Sequence, residues 1–65
     1  MRNIQVGELY CCGWMEWGED ILEVCLVVGK EKFYHTMVNP YRYTVLRSNG
    51  KIHHLHSSGI GEMIR

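Results

Sequence analysis

Residues 21–28 read Ile21-Leu22-Glu23-Val24-Cys25-Leu26-Val27-Val28 and contain the longest apolar run of the chain. Every second residue from Leu22 to Val28 is apolar, and Cys25 and Val27 place further apolar side chains on the opposite face. A short segment with apolar residues on both faces is typical of a buried strand. The sequence therefore predicts that residues 21–28 form the central strand of a tight barrel, with Cys25 as a small core residue.

The rest of the chain is divided into short segments by seven glycines. Segments of this kind, rich in aromatic and β-branched residues, favour an all-β sandwich or barrel. The predicted strands cover residues 9–12, 21–28, 33–38, 41–47 and 51–56, and the predicted loop and turn cover 13–20 and 29–32. Residues 57–65 are expected to form one helical turn and a short closing strand. The prediction is a single domain, residues 1–65, of five to six short antiparallel strands.

The strongest turn signal of the chain is Asn49-Gly50. A two-residue type I′ hairpin turn requires positive φ at both positions, which these two residue types tolerate. A loop of this length would place Leu46 opposite His53. The favoured interpretation points three side chains of the hairpin inward, namely Tyr43, Val45 and Ile52. A shift of the pairing by one residue would exchange the two faces of a strand.

Composition excludes several classes of protein. Seven basic and seven acidic residues give a formal net charge of zero among 65 residues. Nucleic-acid binding driven by bulk positive charge is therefore not expected. A disordered tail is not expected either, because 46% of the residues are hydrophobic. A net charge near zero favours self-association or binding to a partner.

The sequence also bears on the compartment. No apolar run approaches the roughly 18 residues that a membrane-spanning helix needs. Residues 1–6 lack the apolar segment and cleavage site of a signal peptide. We expect a protein of a reducing cytoplasm, neither secreted nor in a membrane, with Cys11, Cys12 and Cys25 as free thiols.

Three segments, in the expected order, resemble small SH3-like barrels. Val6-Gly7-Glu8-Leu9 looks like their "V-G-D-L-V" opening, and residues 43–52 are similar to their "Y-x-V-x-W-S-D-G-K" hairpin. Residues 57–64 resemble their terminal turn and last strand. Arg47 stands where a tryptophan is usual, and Gly61 where an acidic residue or leucine is common. The closest style is that of short SH3-like proteins of tailed bacteriophages. The resemblance implies an SH3-like barrel and a viral origin, with a location in the virion or the host cytoplasm.

Residues able to carry metal or catalytic chemistry do not form a known motif. The four histidines are His35, His53, His54 and His56. They lack the C-x₂-C or H-x₃-H spacing of zinc sites, so neither a metal nor another cofactor is expected. Cys11 or Cys12 beside a histidine would offer a nucleophile and a base, but nothing in the sequence brings them together. The sequence also lacks a glycine-rich phosphate-binding motif. We therefore expect no enzymatic activity.

The aromatic residues carry the leading functional hypothesis. In SH3-like barrels such residues line the ligand groove, which makes five residues candidates for partner binding: Trp14, Met15, Trp17, Tyr41 and Tyr43. Tryptophan and tyrosine are enriched at binding hot spots. The alternative for the tryptophan pair is that one of them caps the barrel end as part of the core. The hypothesis is a non-enzymatic protein-interaction module, either an accessory component of the virion or a binder of a host protein.

A second functional hypothesis uses the basic residues of the last hairpin. Arg42, Arg47 and Lys51 would form a basic edge of the kind that SH3-like barrels of the KOW and Tudor type use on nucleic acid. The competing interpretation is a charged hairpin that simply faces solvent. Salt dependence separates the two hypotheses, because contacts to phosphate weaken steeply with salt.

Overall fold

Five β-strands make up one antiparallel sheet in the computed structural model, which describes residues 3–33 and 40–64. The strands are β1 (Leu9–Glu16), β2 (Glu19–Lys32), β3 (Tyr41–Leu46), β4 (Ile52–His56) and β5 (Ile60–Ile64), with a 3₁₀ turn at Ser57–Gly59 before β5. These residues contain no α-helix, and thus no helix able to cross a membrane. The prediction of an all-β fold with one helical turn near the C-terminus is confirmed.

Strand β2 lies at the centre of the sheet, whose order is β4-β3-β2-β1-β5. The prediction of a central strand is confirmed, but β2 is longer than predicted. The charged turn expected at residues 29–32 is wrong, because Lys30 pairs with Tyr43 and Glu31 with Arg42 in the ladder to β3. An irregularity between Val27 and Gly29 shifts the register there. Such a bulge lets one strand bend and continue.

The loop expected at residues 13–20 is also wrong. Residues 13–16 belong to β1 and pair with residues 19–22 of β2, ending with Glu16 opposite Glu19. Only Trp17 and Gly18 form the turn, with φ of 53° and 78°. Positive φ at both central residues is the geometry of a type I′ turn. The glycines and acidic residues of this segment suggested a loop, but here they lie on a tight hairpin with an exposed tip.

The second hairpin differs from the prediction by one residue. Leu46 pairs with Ile52 instead of His53. Arg47 donates its backbone N–H to the Lys51 carbonyl over 2.8 Å, so three residues form the loop, and among them only Gly50 has a positive φ, of 84°. This is the three-residue hairpin with a left-handed glycine. Because of the one-residue shift, Ile52 faces outward and 53% of it is exposed, which corrects the inward placement predicted for it.

The core is formed by one face of the sheet. Among the described residues, the nine buried members of this core are Ile4, which precedes β1, and Tyr10, Cys12, Cys25, Val27, Tyr43, Val45, Leu55 and Ile60. The inward placement predicted for Tyr43, Val45 and Cys25 is confirmed. In the described residues no helix covers this face, and the 3₁₀ turn contacts β1, β3 and β4. The sheet therefore curls around its own side chains.

The remaining predictions concern the two ends of the chain and the segment before β3. Gly7 has a φ of 95° and lies in a turn just before β1, as the predicted bend requires. The predicted closing strand is β5, which pairs with β1. The strand predicted at residues 33–38 lies outside the described residues, apart from Phe33. The backbone N–H of Phe33 donates to the Pro40 carbonyl over 2.8 Å.

Candidate interaction surface

The tip of the β1–β2 hairpin displays two large apolar side chains. Trp17 is 97% exposed and Met15 is 70% exposed. Among the described residues other than glycine, only Trp17 has a positive φ. A left-handed conformation costs a residue with a Cβ roughly 1–2 kcal/mol. Both residues were candidates from sequence, and the fold leaves them free to contact another molecule.

Trp14 has a different environment, although it lies on the same hairpin. Its ring stacks on His53 of β4, with centroids 4.5 Å apart and planes at 22°. Its indole Nε1 donates a hydrogen bond to Glu16 Oε2 over 3.1 Å. Trp14 is partly buried and packs against the core cluster. Of Trp14 and Trp17, Trp14 is therefore the one that fits the alternative of a tryptophan covering the core.

The two tyrosine candidates lie away from the hairpin tip. Tyr43 is 1% exposed, so it belongs to the core and has no surface to offer a partner. Tyr41 is half-buried, and the Lys30 ammonium lies 4.3 Å from its ring centroid. Tyr41 pairs with Lys32 at the last residue of β2, whereas Trp14 pairs near its first. The structure therefore does not bring the two aromatic pairs into one groove.

Arg47 joins the hairpin of β3 and β4 to the middle of the sheet. Its guanidinium donates to Glu23 Oε1 over 2.9 and 3.2 Å and to Glu16 Oε2 over 3.4 Å. It also lies 4.9 Å from the Trp14 ring centroid. The hydrogen bonds from Arg47 lower the pKa of Glu23, helped by Ser48. The same pairing raises the pKa of Arg47.

The basic edge of the second functional hypothesis is largely neutralised. Arg42 forms an ion pair with Glu31, and its guanidinium carbon lies 4.1 Å from the Phe33 ring centroid. Arg47 is paired with Glu23 and Glu16, and Lys51 is exposed just after the hairpin loop. A phosphate would have to compete with a carboxylate for each of the two arginines. This arrangement favours a structural role for Arg42 and Arg47.

An apolar row crosses the outer face of the sheet and was missed from sequence. The register places one residue of each strand side by side, in the order Ile64, Leu9, Leu26, Leu46 and Ile52. All five side chains are exposed or half-exposed. The sequence signal for this row is the alternation of apolar residues from Leu22 to Val28, which the prediction of a buried strand places on a covered face. Leu22 and Val24, at 75% and 45% exposed, extend the apolar surface toward the hairpin tip.

A cleft of about 520 Å³ opens on the same outer face between β1, β2 and β5. Leu22 and Ile64 line it, and three glycines, at positions 13, 59 and 61, leave it free of side chains in between. The glycines also allow close backbone packing, because a Cβ at Gly61 would lie 2.5 Å from the Cys11 carbonyl oxygen. The result is an open, mainly apolar depression about four residues from the hairpin tip.

The three cysteines are free thiols and do not share one environment. Cys11 faces the outer cleft, whereas Cys12 and Cys25 are buried. Burial, together with the neighbouring Cys25, raises the pKa of Cys12 to about 12, and burial also raises the pKa of Cys25. Such thiols are held in the neutral, unreactive form. Within residues 3–33 and 40–64 no three histidine, cysteine or acidic side chains converge as metal ligands, and His35 lies outside those residues.

Comparison of the chain with protein-family models, with curated proteins and with solved structures gives no match.

Proposed function

We propose that this protein is a non-enzymatic protein-interaction module whose main contact is the hairpin tip formed by Met15 and Trp17. The observation that carries the proposal is the display of Trp17, which is 97% exposed on a backbone with positive φ. A turn selected for stability alone would place asparagine, aspartate or glycine at that position. Backbone strain that is retained at an exposed residue supports a role in binding.

The size of the side chain supports the same proposal. An indole offers about 150–250 Å² of surface to a partner. Tryptophan is among the residues most enriched at binding hot spots. Met15, two positions earlier on the same hairpin, adds a flexible apolar contact that adapts to its partner. Together they form an apolar tip, whose contact with water is unfavourable and would be removed by a bound partner.

The apolar row behind the tip adds a second contact region. Contiguous exposed apolar surface on a small protein usually marks an interface. The row crosses all five strands, and at a strand spacing of about 4.8 Å it extends for about 19 Å. We propose that a partner bound at the tip extends over the β1–β2 part of this row.

The resemblance to SH3-like proteins of tailed bacteriophages supports a partner in the virion or in the infected cell. Quantitative mass spectrometry of purified particles and of infected-cell lysate would separate the two. A fixed number of copies per particle would support a virion component. Abundance in the lysate without a particle-bound form would support an intracellular binder. Absence from both would contradict a viral role.

Binding itself is tested with Trp17→Asn, which removes the indole and places a residue suited to positive φ in the turn. Wild type, Trp17→Asn and the control Lys51→Ala are immobilised and exposed to dissociated particles and to lysate. We expect the same partner on wild type and Lys51→Ala, at low and at high salt, and none on Trp17→Asn. Retention on Trp17→Asn would contradict the proposal. If nuclease or high salt releases the bound material from wild type, the nucleic-acid hypothesis is favoured instead.

A further inference from the structure

We infer that the partner of the hairpin tip is a second copy of this chain, with Trp17 of each copy seated in the outer cleft of the other. The inference rests on the proposed function and names the partner. Three observations carry it: an exposed indole, an apolar cleft that none of the described side chains fills, and the origin of the indole and of part of the cleft lining on one hairpin.

The cleft has the size and lining that an indole requires. Its volume of about 520 Å³ lies within the range of pockets that enclose small ligands. Leu22 and Ile64 supply apolar walls, and Gly13 leaves the space between them open. Trp17 does not fill the cleft of its own chain, because it is 97% exposed. It lies about 13 Å from Gly13 along the strand, at about 3.3 Å per residue.

A two-fold axis satisfies both contacts at once. If two β1–β2 hairpins pack in opposite directions, outer face against outer face, an axis near Met15 places residue 17 of one copy over residue 13 of the other. The same rotation places the second Trp17 over the first cleft. A dimer of this kind uses the same surface patch on both copies, as two-fold interfaces do.

The apolar area available agrees with what a stable dimer needs. A standard interface covers about 800 Å² per partner, slightly more than half of it apolar. That is about a sixth of the 4651 Å² that this chain exposes. Trp17 provides about 150–250 Å². Met15 and the aliphatic side chains beside the cleft provide the remainder, at roughly 60–120 Å² for each fully exposed side chain. The aliphatic side chains are those of Leu9, Leu22, Val24 and Ile64, which are exposed by 38% to 75%.

Charge gives the dimer a distinctive salt dependence. The net charge of zero means that two copies do not repel each other overall. Locally, however, Asp20 lies opposite Met15 in the ladder of β1 and β2, beside the axis, so the two Asp20 carboxylates of the dimer approach each other. Added salt screens this repulsion and strengthens apolar contacts. The dimer should therefore become tighter with salt, the opposite of a complex with nucleic acid.

Sedimentation equilibrium from micromolar to millimolar concentration tests the dimer. We expect wild type to dimerise, and Trp17→Asn and Leu22→Glu to raise the dissociation constant about a hundredfold, because each substitution removes both symmetric contacts. Leu22 is 75% exposed, so a glutamate there leaves the fold intact. The matched control is Ile52→Glu, which adds the same charge at an exposed apolar site on β4. It should dimerise like wild type.

Mixing two variants gives the most specific test. Trp17→Asn keeps an intact cleft, and Leu22→Glu keeps an intact indole. Neither forms a good contact with itself, but a mixed pair forms one of the two contacts. We expect the mixture to have a higher average mass than either variant alone. No gain in mass on mixing would overturn the exchange of Trp17, and a monomeric wild type at millimolar concentration would overturn the dimer.

Failure of the dimer and failure of the proposed function are distinguishable. If wild type stays monomeric but captures another protein that Trp17→Asn does not, the second copy is excluded and the interaction module stands. If wild type stays monomeric and Trp17→Asn captures the same proteins as wild type, both are overturned.

Discussion

The ring of Trp14 on β1 stacks on the ring of His53 on β4, although two strands separate β1 from β4 in the sheet. The contact is possible only because the sheet curls, so that both side chains point into the same interior. Arg47 lies over the same indole and links it to Glu16 and Glu23. Trp14 therefore joins the two sides of the curled sheet.

Trp14→Ala should lower the free energy of unfolding by about 3 kcal/mol, because it removes a large core-packed side chain together with its stacking and cation–π contacts. Urea unfolding followed by circular dichroism measures the loss. The control is Trp17→Ala on the same hairpin, which removes an indole that touches almost nothing within the chain. Equal losses in the two variants would contradict the structural role of Trp14.

Trp17→Asn should stabilise the fold by about 1 kcal/mol, because asparagine adopts positive φ more easily than tryptophan. For a domain of this size the unfolding midpoint would rise by about 4–8 °C. The measurement is thermal unfolding at low concentration, so that association does not contribute. A midpoint below that of wild type would show that the indole stabilises its own chain.

Glu23 makes stability depend on pH in the acid range. Hydrogen bonds from Arg47 hold the pKa of Glu23 below its ordinary value of 4.5 in the folded state. The folded state therefore binds fewer protons than the unfolded state, so this contribution is complete above about pH 4.5 and is lost as the pH falls through the folded pKa. Glu23→Gln should show a shallower acid loss of stability in urea unfolding. The control Glu62→Gln, at an exposed position, should lose stability in acid as wild type does. An equally shallow loss in Glu62→Gln would show that the pH dependence does not come from the pairing of Glu23 with Arg47.

The three thiols should differ in reactivity. Burial raises the pKa of Cys12 to about 12 and also raises that of Cys25, so neither forms a thiolate near neutral pH. Cys11 is partly exposed on the outer cleft. We expect iodoacetamide to label one thiol in the folded protein and three after unfolding, as counted by mass spectrometry. In Cys11→Ser the folded protein should stay unlabelled, and rapid labelling of Cys12 would contradict its burial.

Gly61→Ala should destabilise the pairing of β5 with β1. The added Cβ would lie 2.5 Å from the Cys11 carbonyl oxygen, and backbone cannot easily move away. Overpacking of this kind costs about 1–3 kcal/mol. Gly29→Ala is the matched control, since its Cβ would meet Thr44 at an ordinary 3.4 Å. Urea unfolding of both variants checks the difference, and equal stability would show that β5 shifts freely.

For the partner-binding candidates, the sequence shows the residue type but not whether the side chain is buried or exposed. The apolar and aromatic character of Met15, Trp14 and Trp17 was visible in sequence, but their separation into one packed and two exposed side chains was not. That separation depends on the alternation of side chains along a strand, and a loop predicted at residues 13–20 has no such alternation. Tyr43 shows the same limit, because alternation placed it inward while its residue type suggested binding.

Local sequence determined the fold class and several of the elements of this protein. Glycine spacing, β-branched segments and the Asn49-Gly50 signal were sufficient for an all-β chain with a central strand at residues 21–28, a hairpin near residue 49 and a closing turn and strand. These features depend on backbone preferences and alternation within a few residues.

Only the tertiary structure decided which faces are buried. Both faces of β2 are apolar, so its own sequence cannot choose between them. The choice of Cys25 and Val27 as core residues follows from pairing with Tyr10 and Val45 on neighbouring strands. In the second hairpin a loop one residue longer turned Ile52 outward and His53 toward Trp14. Side chains alternate with a period of two, so a single residue of register, set by contacts far apart in the chain, decides between core and surface.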